Sequence, residues 1–182
     1  MENNAGKQIR NRDLYEKRTQ EKATVTNVIA PIIIVDRIRT PENIASIFRL
    51  ADAAGIKRIV LVDTEIDKNN KKINRIARDS IKYLQIEETS LADFILRIRD
   101  YQPLYALEIT SESKDIFQTE LSGMFSIVVG NERQGISQEL LDMCSAAIHI
   151  PMYGGNGSMN VAHALAIALY EWRRQMAVED KT

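Results

Sequence analysis

Apolar residues in this chain gather into short β-branched runs and into longer stripes at helical spacing, and the two kinds of segment alternate. Ile32-Ile33-Ile34-Val35 and Ile59-Val60-Leu61-Val62, the latter opened by Arg58, are continuous enough to be strands buried on both faces, as strands inside parallel sheets are. Tyr83 to Ile86, Pro103 to Leu107, Phe125 to Val129 and Ala147 to Ile150 are the other predicted strands. Thr40-Pro41 reads as an N-cap followed by proline at the first helical position. The helix it opens carries Ile44, Ile47, Phe48 and Ala51 on one face and stops at Gly55. A short helix is expected between Lys68 and Lys82, another from Ser90 to Asp100 with a capping pattern at its start, and a third near Ser137 to Cys144. The terminal helix is well signalled, with Val161, Ala164, Leu165, Ala168, Leu169 and Trp172 at i, i+3, i+4, i+7, i+8 and i+11. Strands alternating with helices at these intervals predict an α/β fold whose parallel sheet is covered on both faces.

The length of 182 residues suits one domain with a sizeable core. The expected organisation is a polar amino-terminal extension over 1–27, a single domain over 28–176 and a tail over 177–182. A net charge of -1 does not mark a nucleic-acid binder in bulk, so such a role would rest on local patches. The single cysteine, Cys144, cannot form an internal disulfide and reads as a small buried residue, which fits a reducing cytoplasm. Met1 to Asn27 lack the apolar core of a signal peptide, and no apolar run is long enough to span a bilayer. Only two histidines are present, His149 and His163, and neither clusters with the cysteine at metal-ligand spacing, so no metal is expected.

Candidate chemistry concentrates in the last third. One predicted strand runs into Gly130-Asn131-Glu132, and another passes through Ile150-Pro151-Met152 into Tyr153-Gly154-Gly155-Asn156-Gly157-Ser158. Glycine allows positive φ and close approach, which a ligand-cradling loop needs. Open parallel sheets bind ligands outside the carboxyl ends of their strands, here Leu107-Glu108 and the two loops just named. No G-x-G-x-x-G follows the first strand, and neither a P-loop nor a G-x-S-x-G elbow occurs, so dinucleotide, P-loop and nucleophile-elbow readings lose their usual support. Arg49 falls off the apolar stripe of the first helix, with Ala45 and Ala53 four residues to either side. Its face could meet a second subunit or a substrate, or Arg49 could simply pair with Asp52. Arg75, Arg78 and Lys82 fall at i, i+3 and i+7, the spacing of one helical side, which is either a solvated face or a track for a phosphate backbone. Lys7, Arg10, Arg12, Lys17, Arg18 and Lys22 give the extension a similar pair of readings.

Three stretches then match, in order and spacing, the motifs of a known family. They are Asn43-Ile44-Ala45-Ser46-Ile47-Phe48-Arg49 with Ala51-Asp52-Ala53 after it, Gly130-Asn131-Glu132-Arg133-Gln134-Gly135-Ile136-Ser137, and Ile150-Pro151-Met152 followed by Ser158-Met159-Asn160-Val161. On these residues the chain resembles the SpoU/TrmH family of S-adenosylmethionine-dependent RNA ribose 2'-O-methyltransferases, within the SPOUT superfamily. It departs at Ala45 and Arg133, where glycine is common. The resemblance implies a parallel-sheet SPOUT fold with a carboxyl-terminal deep trefoil knot, and a homodimer. It also implies cofactor contacts from Leu107, Gly130, Ile150 and Met159, and a catalytic set of Asn43, Arg49, Glu132, Ser158 and Asn160. The substrate implied is structured RNA, tRNA first with rRNA as the alternative, bound through Arg75, Arg78, Lys82 and the extension. A non-catalytic RNA-binding dimer is the rival reading. Guanidinium stays protonated in proteins, so Arg49 is read as a phosphate clamp and a stabiliser of the developing alkoxide, and the base stays open, with His163 a further candidate.

Overall fold

The computed structural model describes residues 29–67 and 69–179; the extension over 1–27, Lys68 and the last three residues of the tail lie outside the described residues. Seven strands, β1 (Ile32–Asp36), β2 (Arg58–Val62), β3 (Gln85–Thr89), β4 (Leu104–Leu107), β5 (Lys114–Asp115), β6 (Ser126–Val129) and β7 (Ala146–His149), form one sheet in the order β3-β2-β1-β6-β4-β7-β5. Every pairing is parallel. The helices are α1 (Pro41–Ala54), α2 (Lys71–Ala77), α3 (Leu91–Leu96), α4 (Gln138–Leu141) and α5 (Val161–Glu179).

Because successive side chains of a strand point to opposite faces, the fully buried central strands feed two cores. Ile33, Val35, Ile59, Leu61, Ile127 and Val129 cluster with Phe48 of α1 and with Leu165 and Trp172 of α5. Their neighbours Ile32, Ile34, Val60, Val62 and Val128 cluster instead with Phe94, Tyr101 and Leu140. Burial on both faces explains why β1, β2 and β6 read as unbroken apolar runs.

The start of α1 departs from the expected cap. The Thr40 side chain makes no capping bond; its carbonyl accepts from the Asn43 and Ile44 amides at 3.0 and 3.2 Å, and its own N–H is donated elsewhere. The end of α1 follows the sequence signal. Gly55 takes φ 75°, its N–H donates to Asp52, and the Ile56 N–H reaches back to Ala51, the crossed pair of a left-handed helix stop.

Several expected boundaries move. Residues 78–83 close into a 3-10 helix, so β3 begins at Gln85 rather than Tyr83. The helix opened by Ser90 ends at Leu96, and Ile98–Tyr101 follow as a separate 3-10 turn. α4 stops at Leu141, with only turns out to Cys144, and β7 is shifted one residue toward the amino terminus. The expected cationic stripe is not one helical face, because α2 ends at Ala77 and Arg78 adopts φ 50° before the chain re-forms as 3-10. Arg75 and Lys82 therefore belong to different elements, and Lys82 is paired with Asp79 at 2.6 Å. Among the described residues no helix is long and apolar enough to cross a membrane.

Candidate active site

A cavity of about 570 Å³ opens outside the carboxyl ends of β4, β6 and β7, within the size range of small-molecule sites. Its walls come from Leu107 and Glu108 after β4, Gly130 to Arg133 after β6, Ile150 and Met152 after β7, and Ser158 to Asn160 ahead of α5. The site therefore lies where an open parallel sheet is expected to hold a ligand.

The loop after β6 is shaped by its own backbone and by three side chains. Asn131 and Gly135 exchange N–H to carbonyl bonds at 3.0 and 2.9 Å, folding residues 131–135 back on themselves. The Asn131 side chain then fixes the loop twice over: Oδ1 accepts from the Arg133 and Gln134 amides, and Nδ2 donates to the Arg37 carbonyl at 2.8 Å. Gly130 packs so closely on the returning chain that a Cβ there would collide with the backbone of Gly135 and Ile136. Gly135 needs glycine for its φ of 70°, and the end of the Glu108 side chain packs 2.6 Å from where a Cβ would stand. Glu108 Oε2 also accepts from the Ile136 amide at 3.2 Å, and the fully buried Asp36 accepts from the Ser137 amide at 2.6 Å. By contrast, Gly154, Gly155 and Gly157 have open space around them and none has positive φ, so the expectation that this loop needs its glycines for backbone shape is not met.

A directed chain of hydrogen bonds links α5, α1 and the β6 loop. Asn160 Oδ1 accepts from the Ala162 amide at 2.9 Å and so caps α5. With that oxygen committed, Asn160 Nδ2 donates to Asn43 Oδ1 at 2.9 Å, and Asn43 Nδ2 donates to Glu132 Oε1 at 2.8 Å. The Thr40 amide, unpaired inside its helix, donates to the same Glu132 oxygen at 3.2 Å. Burial acts to raise the Glu132 carboxyl, but the bonds from Asn43, the loop backbone and Thr40 outweigh it and hold the group below the ordinary carboxylate value. The site therefore presents an ionised carboxylate whose second oxygen carries no hydrogen bond among the described residues.

Residues 30–170 match the SpoU rRNA Methylase family. The chain belongs to that family. It is 32% identical over 170 residues to the tRNA (guanosine(18)-2'-O)-methyltransferase of Aquifex aeolicus, covering 90% of this chain and 74% of the relative. It is 31% identical over 145 residues to the 23S rRNA (guanosine(2553)-2'-O)-methyltransferase RlmP of Bacillus subtilis, covering 78% of this chain and 57% of that one. The AdoMet-bound rRNA methyltransferase of Sinorhizobium meliloti superposes with a TM-score of 0.74 at 31% identity, over 80% of this chain and 56% of that chain. The chain thus spans little more than half the length of the Bacillus and Sinorhizobium proteins.

Against this SpoU background, the four residues expected to meet the cofactor, Leu107, Gly130, Ile150 and Met159, all line the one cavity, as do Glu132, Ser158 and Asn160. Asn43 joins them through its two bonds. Ser158 shares the cavity wall but no hydrogen bond ties it to Glu132, Asn43 or Asn160. Arg49 stands apart. It is exposed, it does not line the cavity, and its guanidinium makes one long contact, 3.5 Å to the Ile76 carbonyl. Among the described residues Arg49 does not pair with Asp52, whose carboxylate accepts from Ser80 at 2.9 Å. The small neighbours also differ from expectation: Ala45 is fully buried and only Ala53 is exposed beside the arginine.

Sequence reading named Glu108 only as part of a strand end and gave Asn131 no role of its own. The usable signals were an acid at the carboxyl end of an apolar strand and an Asn able to close a turn through its side chain. His149, set aside as a metal ligand, lines the cavity with Nδ1 3.1 Å from Ser113 Oγ. Cys144, expected to be buried, is only partly so; its thiol donates to the Leu140 carbonyl at 3.3 Å and is pushed up to about 11 by burial. Among the described residues no group of three or more His, Cys, Asp or Glu is arranged to hold a metal ion.

Proposed function

We propose that this protein methylates the 2'-oxygen of a ribose in structured RNA with S-adenosylmethionine as methyl donor. The observation that carries the reading is the Asn160–Asn43–Glu132 chain at the edge of a cavity whose walls include every residue expected to meet the cofactor. The cavity suits that cofactor chemically. Leu107, Ile150, Met152 and Met159 offer apolar surface for a purine, while Glu108 and the backbone around Gly130 offer polar partners for its charged and hydroxylated parts. When bound, S-adenosylmethionine supplies a methyl group on a sulfonium, already a good electrophile.

The protein's own task is then alignment and charge control, and fixing two reactants in attack geometry can supply roughly 7–11 kcal/mol. Glu132 is held ionised, and its unpaired oxygen can accept a hydrogen bond from the ribose hydroxyl. Asn43 and Asn160 keep that carboxylate in place, and Ser158 contributes a hydroxyl to the same wall. Arg49 would clamp the adjoining phosphate and stabilise the developing alkoxide. Its distance from the cavity within one chain supports a homodimer in which each site receives Arg49 from the second copy. The insertion of β6 between β1 and β4, and of β7 between β4 and β5, supports reading the carboxyl-terminal part as the deep trefoil knot of SPOUT proteins.

Arg75, Arg78 and Lys82, with the basic extension, would contact RNA, and the cytoplasm is the expected compartment. Relatives named for tRNA and for 23S rRNA are about equally similar, 32% and 31% identical, so the RNA species is left to experiment. The test supplies labelled S-adenosylmethionine with tRNA or rRNA and identifies the product by nucleoside mass spectrometry. A 2'-O-methylnucleoside supports the proposal. Cofactor binding without transfer to either RNA would favour the non-catalytic dimer.

A further inference from the structure

Two loops meet beside the cavity along a seam. The loop between β1 and α1 carries Arg37 and Arg39; the loop after β6 carries Arg133, which also lines the cavity. Two side chains stitch the seam. Asn131 accepts from the Arg133 amide at 3.0 Å while donating to the Arg37 carbonyl at 2.8 Å, and Glu132 accepts from the Thr40 amide at 3.2 Å. Arg39 is next to Thr40 and Arg133 is next to Glu132, so each arginine lies one residue from the bond that joins the two loops.

The nearby acids are already engaged. Asp36 is buried, accepts from Ser137 and lies 3.3 Å from Arg37 Nε. Glu132 accepts from Asn43 and Thr40, and Glu42, in the first turn of α1, pairs with Lys72 at 2.8 Å. Arg39 and Arg133 are exposed, and among the described residues neither guanidinium has a hydrogen bond or an ion pair. Two unneutralised arginines thus flank the carboxylate proposed to meet the ribose hydroxyl. Both are better placed than Lys82, which Asp79 occupies.

We propose that Arg39 and Arg133 form a two-armed clamp for one RNA phosphodiester near the ribose being methylated, distinct from the phosphate assigned to Arg49. A planar guanidinium fork matches two phosphate oxygens at once. Such a clamp would bias substrate choice toward a particular backbone bend. The proposal rests on the RNA methyltransferase reading.

The test uses full-length protein as wild type and as R39Q, R133Q, R39Q/R133Q and R39K/R133K, with anisotropy titrations of end-labelled bulk tRNA and end-labelled 23S rRNA across a range of KCl. Each neutralised phosphate contributes about 0.7–0.9 to the slope of log affinity against log salt. With one phosphate held between the two arginines, the R39Q/R133Q protein should therefore lose about 0.7–0.9 from that slope and bind at least about 10-fold more weakly at low salt. R39K/R133K should keep the slope, and the affinity of all four variants for S-adenosylhomocysteine should stay within about 2-fold of wild type, as phosphate contacts require. An unchanged slope in R39Q/R133Q, with wild type binding and methylating RNA, overturns the clamp and leaves the enzyme reading intact. Parallel loss of S-adenosylhomocysteine binding also overturns it, by moving the arginines' role to the cofactor. Wild-type protein that neither binds nor methylates either RNA removes both readings together. Urea unfolding of each variant checks that the exposed substitutions leave the fold unchanged.

Discussion

Replacing Asn43 with alanine removes the middle link between α5 and the β6 loop. Asn43 is 8% exposed, so its two bonds are partly shielded from water. A bond to an ionised acceptor contributes about 1.5–3 kcal/mol when well shielded, and the exposure of Glu132 brings this nearer to about 1–1.5 kcal/mol. The bond received from Asn160 adds about 0.5–1.5 kcal/mol, and the better helix propensity of alanine returns up to about 0.7 kcal/mol. The single substitution should therefore destabilise by about 1–3 kcal/mol in urea unfolding at pH 7. The decisive quantity is the coupling in a cycle of Asn43→Ala, Glu132→Ala and the double variant, expected near 1 kcal/mol, roughly the Asn43–Glu132 bond alone. The coupling must depend on pH in one direction. Because the folded-state Glu132 carboxyl lies below its ordinary value of 4.5, its contribution is fully present above 4.5 and is lost as pH falls through the lower folded value. Effects that add within about 0.3 kcal/mol at pH 7, or a coupling that grows on acidification, would refute the bond as a feature of the protein in solution.

Gly130→Ala drives a methyl group into the backbone of Gly135 and Ile136, so it should cost about 1–3 kcal/mol and weaken S-adenosylhomocysteine binding at least about 10-fold by calorimetry; wild-type affinity would contradict this. Arg49→Ala should leave stability within about 0.5 kcal/mol and lower methyl transfer by about 100-fold or more, and full activity would remove Arg49 from the site. With its thiol partly buried and pushed up to about 11, Cys144 is mostly protonated at pH 8 and should react with iodoacetamide more slowly in native than in unfolded protein; equal rates would contradict the raised value. Reversing charge at Arg75 and Arg78 should weaken RNA binding and flatten its salt dependence without altering cofactor affinity.

The parts of the fold that could be read from sequence are those where one physical demand dominates. β1 and β2 are buried on both faces and show it as unbroken runs, and Gly55 marks a left-handed helix stop that few other residues tolerate. β3 and β5 were hard to see because they are the sheet's edges. Gln85-Ile86-Glu87-Glu88-Thr89 has one large apolar residue, and Lys114-Asp115 has none. Nothing in the composition around Arg78 announces positive φ, so the cationic spacing looked continuous when the backbone had already turned. The same contrast holds in the site. The family resemblance pointed to Asn43, Glu132 and Asn160, which the fold brings within bonding distance across 117 residues of chain. It could not find the latch from Glu108 to Ile136 or the buried Asp36–Ser137 bond, because each depends on which strand ends lie side by side, and that order, β1-β6-β4, is not sequential. Arg49 lies in the matching motif yet apart from the cavity, because six residues of helix carry it about 9 Å along α1 from Asn43 and round to another side.

The most direct test of the proposed ribose 2'-O-methylation exploits the chemistry of the product. Alkaline cleavage of RNA requires a free 2'-hydroxyl, so each 2'-O-methylated ribose leaves a gap in a hydrolysis ladder. End-labelled tRNA and 23S rRNA transcripts, incubated with the protein and S-adenosylmethionine, should yield one discrete gap in one of the two RNAs. The gap should be absent when the cofactor is omitted and strongly diminished with Arg49→Ala. An unbroken ladder in both RNAs, from protein that demonstrably binds S-adenosylhomocysteine, or a methylated base without a gap, would contradict the assignment.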